Sequence, residues 1–436
     1  MKKLLALMLA VLMLVLCLAG CAPKATTEQP AETETPAVEE TPTPAEETTG
    51  TEETPEETTG EKPTIKFYGK CIEYTSGPMM TDALEEKLAD KYNIESIQID
   101  WSNLDSVVRT GIASNDPCDI YNYAMPANIA DMAVDLTPYL DADPEFKSWF
   151  SDAELSLGTV DGRLVSLMWE TNFPVMIGNK TALEAAGVTI PDAWTMDEFK
   201  EACQKVSDTG VFPLGHATDL NRAYWIWYNA MLSITHSNGT YDAWMAGDLS
   251  YESDDCKAAM EATKSLYDLN YMYPGEGAVT AKSDEIRAAF YQGKCLMMTE
   301  TAAQAASVAA EADFDVVIIP WPAAGEQNAI SCGGNMFFIP KNCSNEEAAV
   351  EVLKTFLSPE IQAIHAEQGY IPANVKVESD NVIVKGVLAQ APFFSVGPTP
   401  DAATFDYMAN NLIADLVLNG GVDFAAANLQ AAATIE

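Results

Sequence analysis

The sequence predicts an α/β protein with two lobes. Strand-like and helix-like segments alternate from residue 64, and they alternate again after residue 289. The chain has 436 residues, of which 48% are hydrophobic, so it is long enough to bury more than one core. We therefore predict two α/β lobes, with the chain crossing between them more than once.

The first alternating stretch has the order β-α-β-α-β. Residues 64–68 alternate apolar and polar side chains, and Met80, Leu84 and Leu88 then recur every four residues, as on one helix face. The segments that follow are residues 97–101 (strand), 104–112 (helix) and 119–123 (strand). This alternation predicts a parallel sheet covered by helices, with any ligand beyond the carboxyl ends of the strands.

Turn and capping signals mark the later elements. Asp161-Gly162 predicts a tight hairpin turn. Capping residues predict helices that begin at Thr195, Ser344 and Ser358, and Gly210 and Gly369 end the first and the third. A helix that ends over 289–294 leads to a strand from Cys295, and strands over 314–319 and 335–339 complete the second α/β unit.

The amino terminus predicts an export signal over residues 1–20. Lys2 and Lys3 precede an apolar run, and the run ends in small residues before Cys21. The tail Leu18-Ala19-Gly20-Cys21 resembles the lipobox of bacterial lipoproteins, in which cleavage precedes the cysteine and its sulfur is acylated. This implies a protein held by lipid on the extracytoplasmic face of the cell membrane. The alternative is an uncleaved membrane anchor, for which the apolar run is short.

Residues 21–63 predict a tether that carries the lipidated cysteine. Beyond Cys21 the segment is rich in Thr, Glu and Pro, it contains no aromatic residue, and Val38 is its one large aliphatic residue. Such a segment cannot bury enough apolar surface to offset the entropy lost on ordering, so we expect it to be disordered.

The charge and the cysteines exclude some classes of function. The formal net charge of −41 would repel nucleic acid, and it disfavours free anionic solutes. Seven of the nine cysteines follow Cys21, and none of them forms a CxxC pair. Because seven is odd, we expect mostly free, buried thiols, with disulfides as the alternative.

The order of several short motifs is similar to that in a known family. The motifs are Asp161-Gly162-Arg163-Leu164, Gly178-Asn179-Lys180, Ala185-Ala186-Gly187, Trp194 to Phe199, Ala289 to Lys294, Gly333-Gly334, Glu347-Ala348-Ala349, Leu357 to Glu360 and Gly369 to Ala373. Together they resemble the extracellular solute-binding proteins of sugar ABC importers, of the maltodextrin-binding type. Gly178, Met196 and Thr301-Ala302-Ala303 depart from the family pattern, and the last departure removes a ring that commonly stacks on sugar.

The resemblance implies a periplasmic-binding-protein-like fold of type II, with two α/β lobes joined by a multi-strand hinge around a ligand cleft. Lobe 1 would comprise 64–176 and 324–357, and lobe 2 would comprise 177–323 and 358–436. The function implied is capture of a mono- or oligosaccharide by lobe closure, followed by delivery to an ABC permease. The resemblance implies a monomer that makes and breaks no bond, and we expect no cofactor and no metal.

A neutral sugar needs aromatic faces and polar groups at the height of its hydroxyls. Such residues stand at predicted strand ends and in loops, and the candidate ligand-binding residues are Glu73, Tyr74, Asn122, Tyr123, Trp169, Glu170, Thr171, Asn172, Tyr224, Trp225, Trp227, Glu300, Trp321, Asn335, Tyr370 and Tyr407. The resemblance places Tyr123, Asn172, Tyr224, Trp227, Tyr370 and Tyr407 nearest to ligand-contacting positions of the family. Each aromatic ring could instead belong to a core.

Three alternatives remain open. The same fold could bind a polyamine or a small peptide, which the acidic charge would suit. Glu170 and Glu300 could serve glycoside hydrolysis if they were held about 5–9 Å apart. A surface adhesin is the third alternative. The three histidines share no metal-binding spacing, and Asp141-Ala142-Asp143 is read as a solvated turn because it lacks the remaining calcium ligands.

Overall fold

The structure is a computed structural model that describes residues 62–114 and 116–434. The predicted signal peptide (1–20), the lipidation site Cys21 and the tether up to residue 61 lie outside the described residues. Within the described ranges, no helix is both long and apolar enough to cross a membrane.

The strands form two five-stranded sheets and two short ribbons. They are β1 (Thr64–Lys70), β2 (Asn93–Gln98), β3 (Ile120–Asn122), β4 (Thr159–Val160), β5 (Arg163–Leu164), β6 (Leu167–Thr171), β7 (Pro174–Asn179), β8 (Phe212–Gly215), β9 (Met272–Tyr273), β10 (Cys295–Thr301), β11 (Val316–Ile319), β12 (Ile330–Ser331), β13 (Gly334–Phe338) and β14 (Phe394–Ser395).

The α-helices cover both sheets and form a third region of their own. They are α1 (Ser76–Leu88), α2 (Leu104–Ala113), α3 (Thr137–Ala142), α4 (Pro144–Lys147), α5 (Asp152–Leu157), α6 (Lys180–Ala185), α7 (Met196–Ser207), α8 (Trp225–Asn238), α9 (Tyr241–Met245), α10 (Asp254–Asp268), α11 (Ser283–Tyr291), α12 (Ala302–Glu311), α13 (Glu346–Phe356), α14 (Pro359–Glu367), α15 (Val382–Leu388), α16 (Ala402–Asn410), α17 (Leu412–Ala414) and α18 (Val422–Ala432). Short 3-10 helices lie at Trp101–Asn103, Pro126–Asn128, Gly275–Thr280 and Ala391–Phe393, and Asp415–Asn419 is a π-helical turn.

The first sheet has the strand order β2-β1-β3-β13-β6. Strands β2, β1 and β3 run parallel, as predicted, and Met80, Leu84 and Leu88 of α1 are buried against them. The sheet is nevertheless mixed, because β13 returns from late in the chain and pairs antiparallel with both β3 and β6.

The second sheet has the order β11-β7-β10-β8-β9. Strand β10 runs parallel to β8 and antiparallel to β7. The predicted capping box is present at the start of α7: the Thr195 side chain accepts from the Glu198 backbone, and the Glu198 side chain accepts from the Thr195 backbone. A third core, around Trp227, lies among helices α8, α10 and α16–α18.

The chain passes between the two sheets at three places. The first crossing, at 172–173, lies between β6 and β7, and the second, at 320–333, lies between β11 and β13. Helix α14 was expected in lobe 2, but it packs against α1 of the first sheet. Its turn is followed by Ile371, whose carbonyl accepts from the Thr171 backbone at the sheet edge. The third crossing therefore comes after residue 372, rather than at 358.

Two predicted element boundaries were wrong. The strand expected over 97–101 runs over Asn93–Gln98, because the Asp100 side chain accepts from the backbone of Ser102 and Asn103 and starts a 3-10 turn. Helix α13 is capped by Asn345 and not by Ser344, whose backbone and hydroxyl both donate to Asp119.

Candidate ligand cleft

Two cavities lie next to helices α8 and α9. One lies where the first two crossings approach α8, and the other lies between the first sheet, α9 and the segment 396–399. We call the first the aromatic pocket; its volume is about 200 Å³. Its lining residues are Asn172, Phe173, Pro174, Tyr224, Trp225, Tyr228, Asn229, Ser331, Cys332 and Gly333. We call the second the methionine cleft; its volume is about 330 Å³. Its lining residues are Ala124, Met125, Pro126, Ala127, Asn128, Ser156, Leu157, Thr159, Val160, Met245, Met336, Val396, Gly397, Pro398 and Thr399.

The aromatic pocket is assembled from two crossings and the start of α8. Asn229 ties these parts together: its amide donates to the Trp225 carbonyl at 2.9 Å, and its carbonyl oxygen accepts from the Ser331 backbone at 2.9 Å. On the first crossing, the Asn172 side chain accepts from the Ala303 backbone at 3.2 Å, and the Asn172 backbone donates to the Gly333 carbonyl. Hydrogen bonds therefore hold the segment 331–333 to both α8 and the first crossing.

The methionine cleft lies between the first sheet and the helical region. Met125, after β3, is 49% exposed, and Met245, at the end of α9, is 38% exposed, while Met336 of β13 is buried. The segment 395–397 runs between the two cavities, and the Tyr241 hydroxyl fixes it by donating to the Val396 carbonyl at 2.7 Å. A solute in this cleft would touch groups from both sides of the molecule.

The lining of both cavities is electrically neutral. Of the described residues that line them, none carries a charged side chain. The polar groups are amides and hydroxyls, which can both donate and accept hydrogen bonds to neutral hydroxyls. Among the described residues, no group of three or more His, Cys, Asp or Glu side chains could hold a metal ion.

Glu170 is buried beside the first crossing. The Asn335 amide donates to its Oε2 atom at 2.6 Å, and the hydroxyl of Tyr74 faces the same carboxyl group. Burial raises the pKa of Glu170 to about 7, against these two hydrogen-bonding groups, which lower it. The nearby Glu154 is also buried, and its pKa is likewise raised to about 7 by burial.

Glu300 lies at the end of β10 between two guanidinium groups. Its carboxylate oxygens are 2.7 Å from Arg222 and 2.8 Å from Arg287, and the Thr301 backbone donates to it at 2.8 Å. The Arg222 contact is an ion pair rather than a hydrogen bond, since Nη1 is close but lies off the hydrogen-bonding direction. Glu300 is therefore committed to a buried ion cluster.

The structure brings three of the predicted site residues to the walls of these two cavities. Asn172, Tyr224 and Trp225 line the aromatic pocket. Trp225 is 7% exposed, and Tyr224 is half-buried. Their place on the pocket wall is observed, and their contact with a ligand stays a prediction.

A second set forms a packed cluster beside β6 and does not line either cavity. Tyr74 stacks on Tyr370 with ring centroids 4.6 Å apart, and Trp169 stacks on Phe337 in the first core. The remaining members contact these rings or lie on the strands next to them; they are Asn122, Glu170, Thr171 and Asn335. Tyr123 follows β3; its ring meets Phe338 edge-on, and its hydroxyl donates to Asp105 at 2.6 Å. Gly334 permits this close crossing, because a Cβ there would lie 1.9 Å from the Glu170 carbonyl oxygen.

The other predicted residues lie away from both cavities. Trp227 is 0% exposed in the third core, which leaves no ring face for a ligand. The Trp321 indole is buried and donates to the Pro174 carbonyl, and the Tyr407 hydroxyl donates to Asp415. Glu73 is exposed. Trp194, which begins one of the family-like motifs, is buried, and its indole donates to the Pro320 carbonyl at 2.7 Å.

Most residues that line the two cavities were not predicted, among them Tyr228, Met125 and Met245. Tyr228 follows Tyr224 by four residues on α8, and this spacing places both rings on one helix face. That signal was available in the sequence. Met125 and Met245 gave none, because an exposed apolar side chain has no local pattern that separates it from a buried one.

Comparisons with known proteins agree with this description. A sequence model of a family described as bacterial extracellular solute-binding protein matches residues 80–391. The sn-glycerol-3-phosphate-binding periplasmic protein of Rhizobium meliloti (strain 1021) is 24% identical over 225 residues, which cover 49% of this chain and 50% of that protein. The arabinooligosaccharide-binding protein of Bacillus subtilis (strain 168) is 26% identical over 224 residues, covering 50% and 49%. The chain thus spans about half the length of these curated relatives.

A solved structure matches over much more of the chain. The cyclic α-maltosyl-1,6-maltose binding protein from Arthrobacter globiformis superposes with a TM-score of 0.68 at 19% identity. The match covers 86% of this chain and 98% of that one. The predicted α/β fold of the periplasmic-binding-protein type is thereby confirmed.

Proposed function

Since this chain belongs to the family of bacterial extracellular solute-binding proteins, we propose that it captures an uncharged carbohydrate in the aromatic pocket and the methionine cleft. In this proposal the two sheets close on the solute, and the loaded protein delivers it unaltered to an ABC permease. The protein acts as a monomer held to the membrane by lipid on Cys21.

The observation that carries the proposal is the neutral lining of the two cavities in a strongly acidic protein. The chain bears a formal charge of −41, yet the cavity walls offer uncharged groups: amides, hydroxyls, a thiol, thioethers, aliphatic side chains and rings. Tyr224, Trp225 and Tyr228 supply apolar faces, and Asn172 and Asn229 supply groups that pair with hydroxyls. This combination suits a sugar, which has both C–H faces and hydroxyl groups.

The same observation disfavours charged solutes. A polyamine needs carboxylates and a phosphate ester needs cations or clustered backbone donors, because an unpaired charge is costly to remove from water. The relative from Rhizobium meliloti is named for an anion, sn-glycerol 3-phosphate, whereas the Bacillus subtilis relative is named for a neutral oligosaccharide. The wall chemistry favours the second kind of solute for this chain.

The hydrolase alternative finds no support at the two carboxylates. Glu170 belongs to the edge strand of the first sheet and Glu300 to the second sheet, and neither lines a cavity. Glu300 is neutralised by Arg222 and Arg287, so it is not free to act as an acid, a base or a nucleophile. We therefore propose that the chain binds its solute without chemistry.

A thermal-shift and calorimetric screen tests the function. The probes are galactose, maltotriose and arabinotriose, with spermidine, a tripeptide and sn-glycerol 3-phosphate as charged or peptide competitors. A true solute at one hundred times its Kd should add about 2.7 kcal/mol of apparent stability. The affinity for a neutral sugar should hardly change between low and high salt, whereas a strong salt dependence would indicate a charged solute and contradict the proposal.

The anchor is tested separately in cells. Cys21→Ser should move the protein from the membrane fraction to the medium or periplasm. The variant should also no longer incorporate label when cells are grown with a radioactive fatty acid. Cys71→Ser serves as a matched control and should leave both readouts unchanged. If the Cys21 variant stays membrane-bound and labelled, the lipid anchor is wrong, although the solute-binding proposal is unaffected.

A further inference from the structure

The buried ion cluster at Glu300 reaches the aromatic pocket through one residue. The Arg222 guanidinium lies over the Trp225 ring, 5.2 Å from the ring centroid, and its Nη1 atom is 2.7 Å from Glu300. Arg287 holds the other oxygen of Glu300 at 2.8 Å. Trp225 in turn lines the aromatic pocket. The contacts therefore run from Arg287 through Glu300 and Arg222 to a pocket wall.

The loop that carries Arg222 is strained. Leu220 and Asn221 have φ angles of 52° and 59°, in the left-handed region that side chains other than glycine rarely adopt. Leu220 is 71% exposed, so no buried apolar contact compensates for this backbone conformation. Such a conformation persists only where surrounding contacts enforce it.

Two sets of contacts enforce the loop. At its start, Asp219 accepts from the Ser283 backbone at 3.0 Å and from the Ser283 hydroxyl at 2.5 Å. At its end, the Arg222 side chain is fixed by Glu300, and the Trp225 backbone donates to the Arg222 carbonyl. Helix α8 begins at Trp225, three residues after Arg222, so the loop held by these contacts leads directly into its first turn.

We propose that Arg222 is a positioning residue for Trp225, held in place by Glu300 and Arg287, and that it fixes the indole as a wall of the solute pocket. The guanidinium covers the Trp225 ring, and the same ring lines the aromatic pocket, so the cation and the pocket share one side chain. Buried ion pairs contribute little net stability compared with apolar replacements, so the role inferred for this cluster is to orient the ring. Only the consequence for solute affinity rests on the proposed function.

The first test needs no ligand. The protein is labelled with 5-fluorotryptophan, and the resonance of Trp225 among the eight tryptophans is assigned by its loss in Trp225→Phe. Arg222→Met removes the charge and the planar guanidinium group but keeps a long, unbranched side chain. The Trp225 resonance should shift or broaden more than the other resonances, and Arg222→Lys, which keeps the charge, should move it back toward the wild-type position.

A matched control is present elsewhere in the chain. The Lys354 ammonium lies 5.9 Å from the Trp149 ring, so Lys354→Met should move the Trp149 resonance and leave that of Trp225 in place. An unchanged Trp225 resonance in folded Arg222→Met would overturn the proposal. If Arg222→Met does not fold, Arg222→Gln, which also removes the charge, takes its place, and a Trp225 shift no larger than those of the other tryptophans in that variant would overturn the proposal equally.

The second test is a double-mutant cycle with maltotriose and arabinotriose as the probes. Arg222→Met should weaken binding roughly five- to tenfold when Trp225 is present, and less than about twofold in the Trp225→Ala background. Equal losses in both backgrounds would show that Arg222 does not act through the ring. If neither sugar binds the wild-type protein, the proposed function is contradicted for these sugars, and the fluorine spectra still judge the role of Arg222.

Discussion

The Tyr228 hydroxyl occupies the space beside Gly397, where an added Cβ would lie only 2.2 Å from the hydroxyl oxygen. Tyr228 lines the aromatic pocket and Gly397 lines the methionine cleft, so this contact joins the two cavities.

Gly397→Ala should therefore lower the free energy of unfolding by about 1–3 kcal/mol, because the methyl group must displace Tyr228 or the segment around residue 397. Urea unfolding measures the change. Gly333→Ala is the matched control in the same region: its Cβ would find the nearest atom at 3.6 Å, an ordinary contact. A stability of Gly397→Ala equal to that of the control would contradict the close approach.

Trp225→Ala and Trp227→Ala should have opposite consequences. Trp225 lines the aromatic pocket, so its loss should weaken sugar binding by roughly 1 kcal/mol or more. Trp227 is fully buried, so its loss should lower the free energy of unfolding by about 3–5 kcal/mol and leave the affinity of the folded protein nearly unchanged. Calorimetric titration and urea unfolding of both variants decide, and a large affinity loss in Trp227→Ala would restore it as a site residue.

Glu170→Gln should change how stability depends on pH. Burial raises the pKa of Glu170 to about 7, so between about pH 4.5 and 7 the folded protein keeps a proton that the unfolded chain releases. The contribution of this group to stability is thus complete at low pH and is lost as the pH rises through 7. The free energy of unfolding of Glu170→Gln, relative to that of the wild type, should therefore increase by up to roughly 3 kcal/mol between pH 5 and pH 8. Urea unfolding at each pH measures it.

Other buried groups also make stability depend on pH. The quantity to compare is therefore the difference in free energy of unfolding between Glu170→Gln and the wild type. Burial lowers the pKa of His216 to about 4 and that of His365 to about 3, so these two groups reduce stability as the pH falls below about 6.5. They contribute equally to both proteins and cancel in the difference. Glu73→Gln, at an exposed position, should follow the wild-type curve. A flat difference for Glu170→Gln would exclude a neutral carboxyl at this site.

The thiols should react in two classes. Cys118 and Cys343 are half-buried, whereas Cys71, Cys203, Cys256, Cys295 and Cys332 are buried, and all seven are free. In native protein at pH 8, iodoacetamide should modify the first two, slowly, since burial raises the pKa of Cys343 to about 11. The other five should react only after the protein is unfolded, and no reductant should be needed because they are free thiols. Peptide mapping by mass spectrometry would reveal a disulfide as a pair that reacts only after reduction.

Sugar binding should bring the two sheets closer together. Ile72, which follows β1 of the first sheet, and Leu269, which follows α10 near the second, are both exposed and can carry spin labels after mutation to cysteine. Cys118→Ser and Cys343→Ser remove the two accessible native thiols. A binding sugar should shorten the measured distance, because it favours the state in which it contacts both sides. An unchanged distance at saturating sugar would contradict closure.

Local elements were predictable because their causes are local. The Thr195–Glu198 capping box, the hairpin turn at Asp161-Gly162 and the buried face of α1 each depend on neighbouring residues. The position of α14 was not predictable in this way, since its apolar face would suit either core and only the tertiary packing selects α1. Boundaries set by distant contacts, such as Ser344 with Asp119, were missed for the same reason.

The site itself was predictable only in part. Trp225 and Trp227 were both proposed as ligand contacts, yet residues two apart on a helix point roughly 200° apart, so one ring faces the pocket and the other the core. Helical geometry therefore already argues against placing both rings in one binding site, but it does not identify which of the two rings faces the core. The four-residue spacing of Tyr224 and Tyr228 was the usable signal.

Strand β13 is the fourth strand of the first sheet in space but comes from residues 334–338, more than 160 positions after its neighbour β6. The first sheet therefore stays incomplete until residues 334–338 are present, because β3 and β6 both lack the strand that pairs with them. Closing such a long loop is slow, so the native packing of this sheet must await most of the polypeptide. A chain translocated from its amino terminus would pass through an extended interval in which its earliest strands are exposed and in need of protection from aggregation.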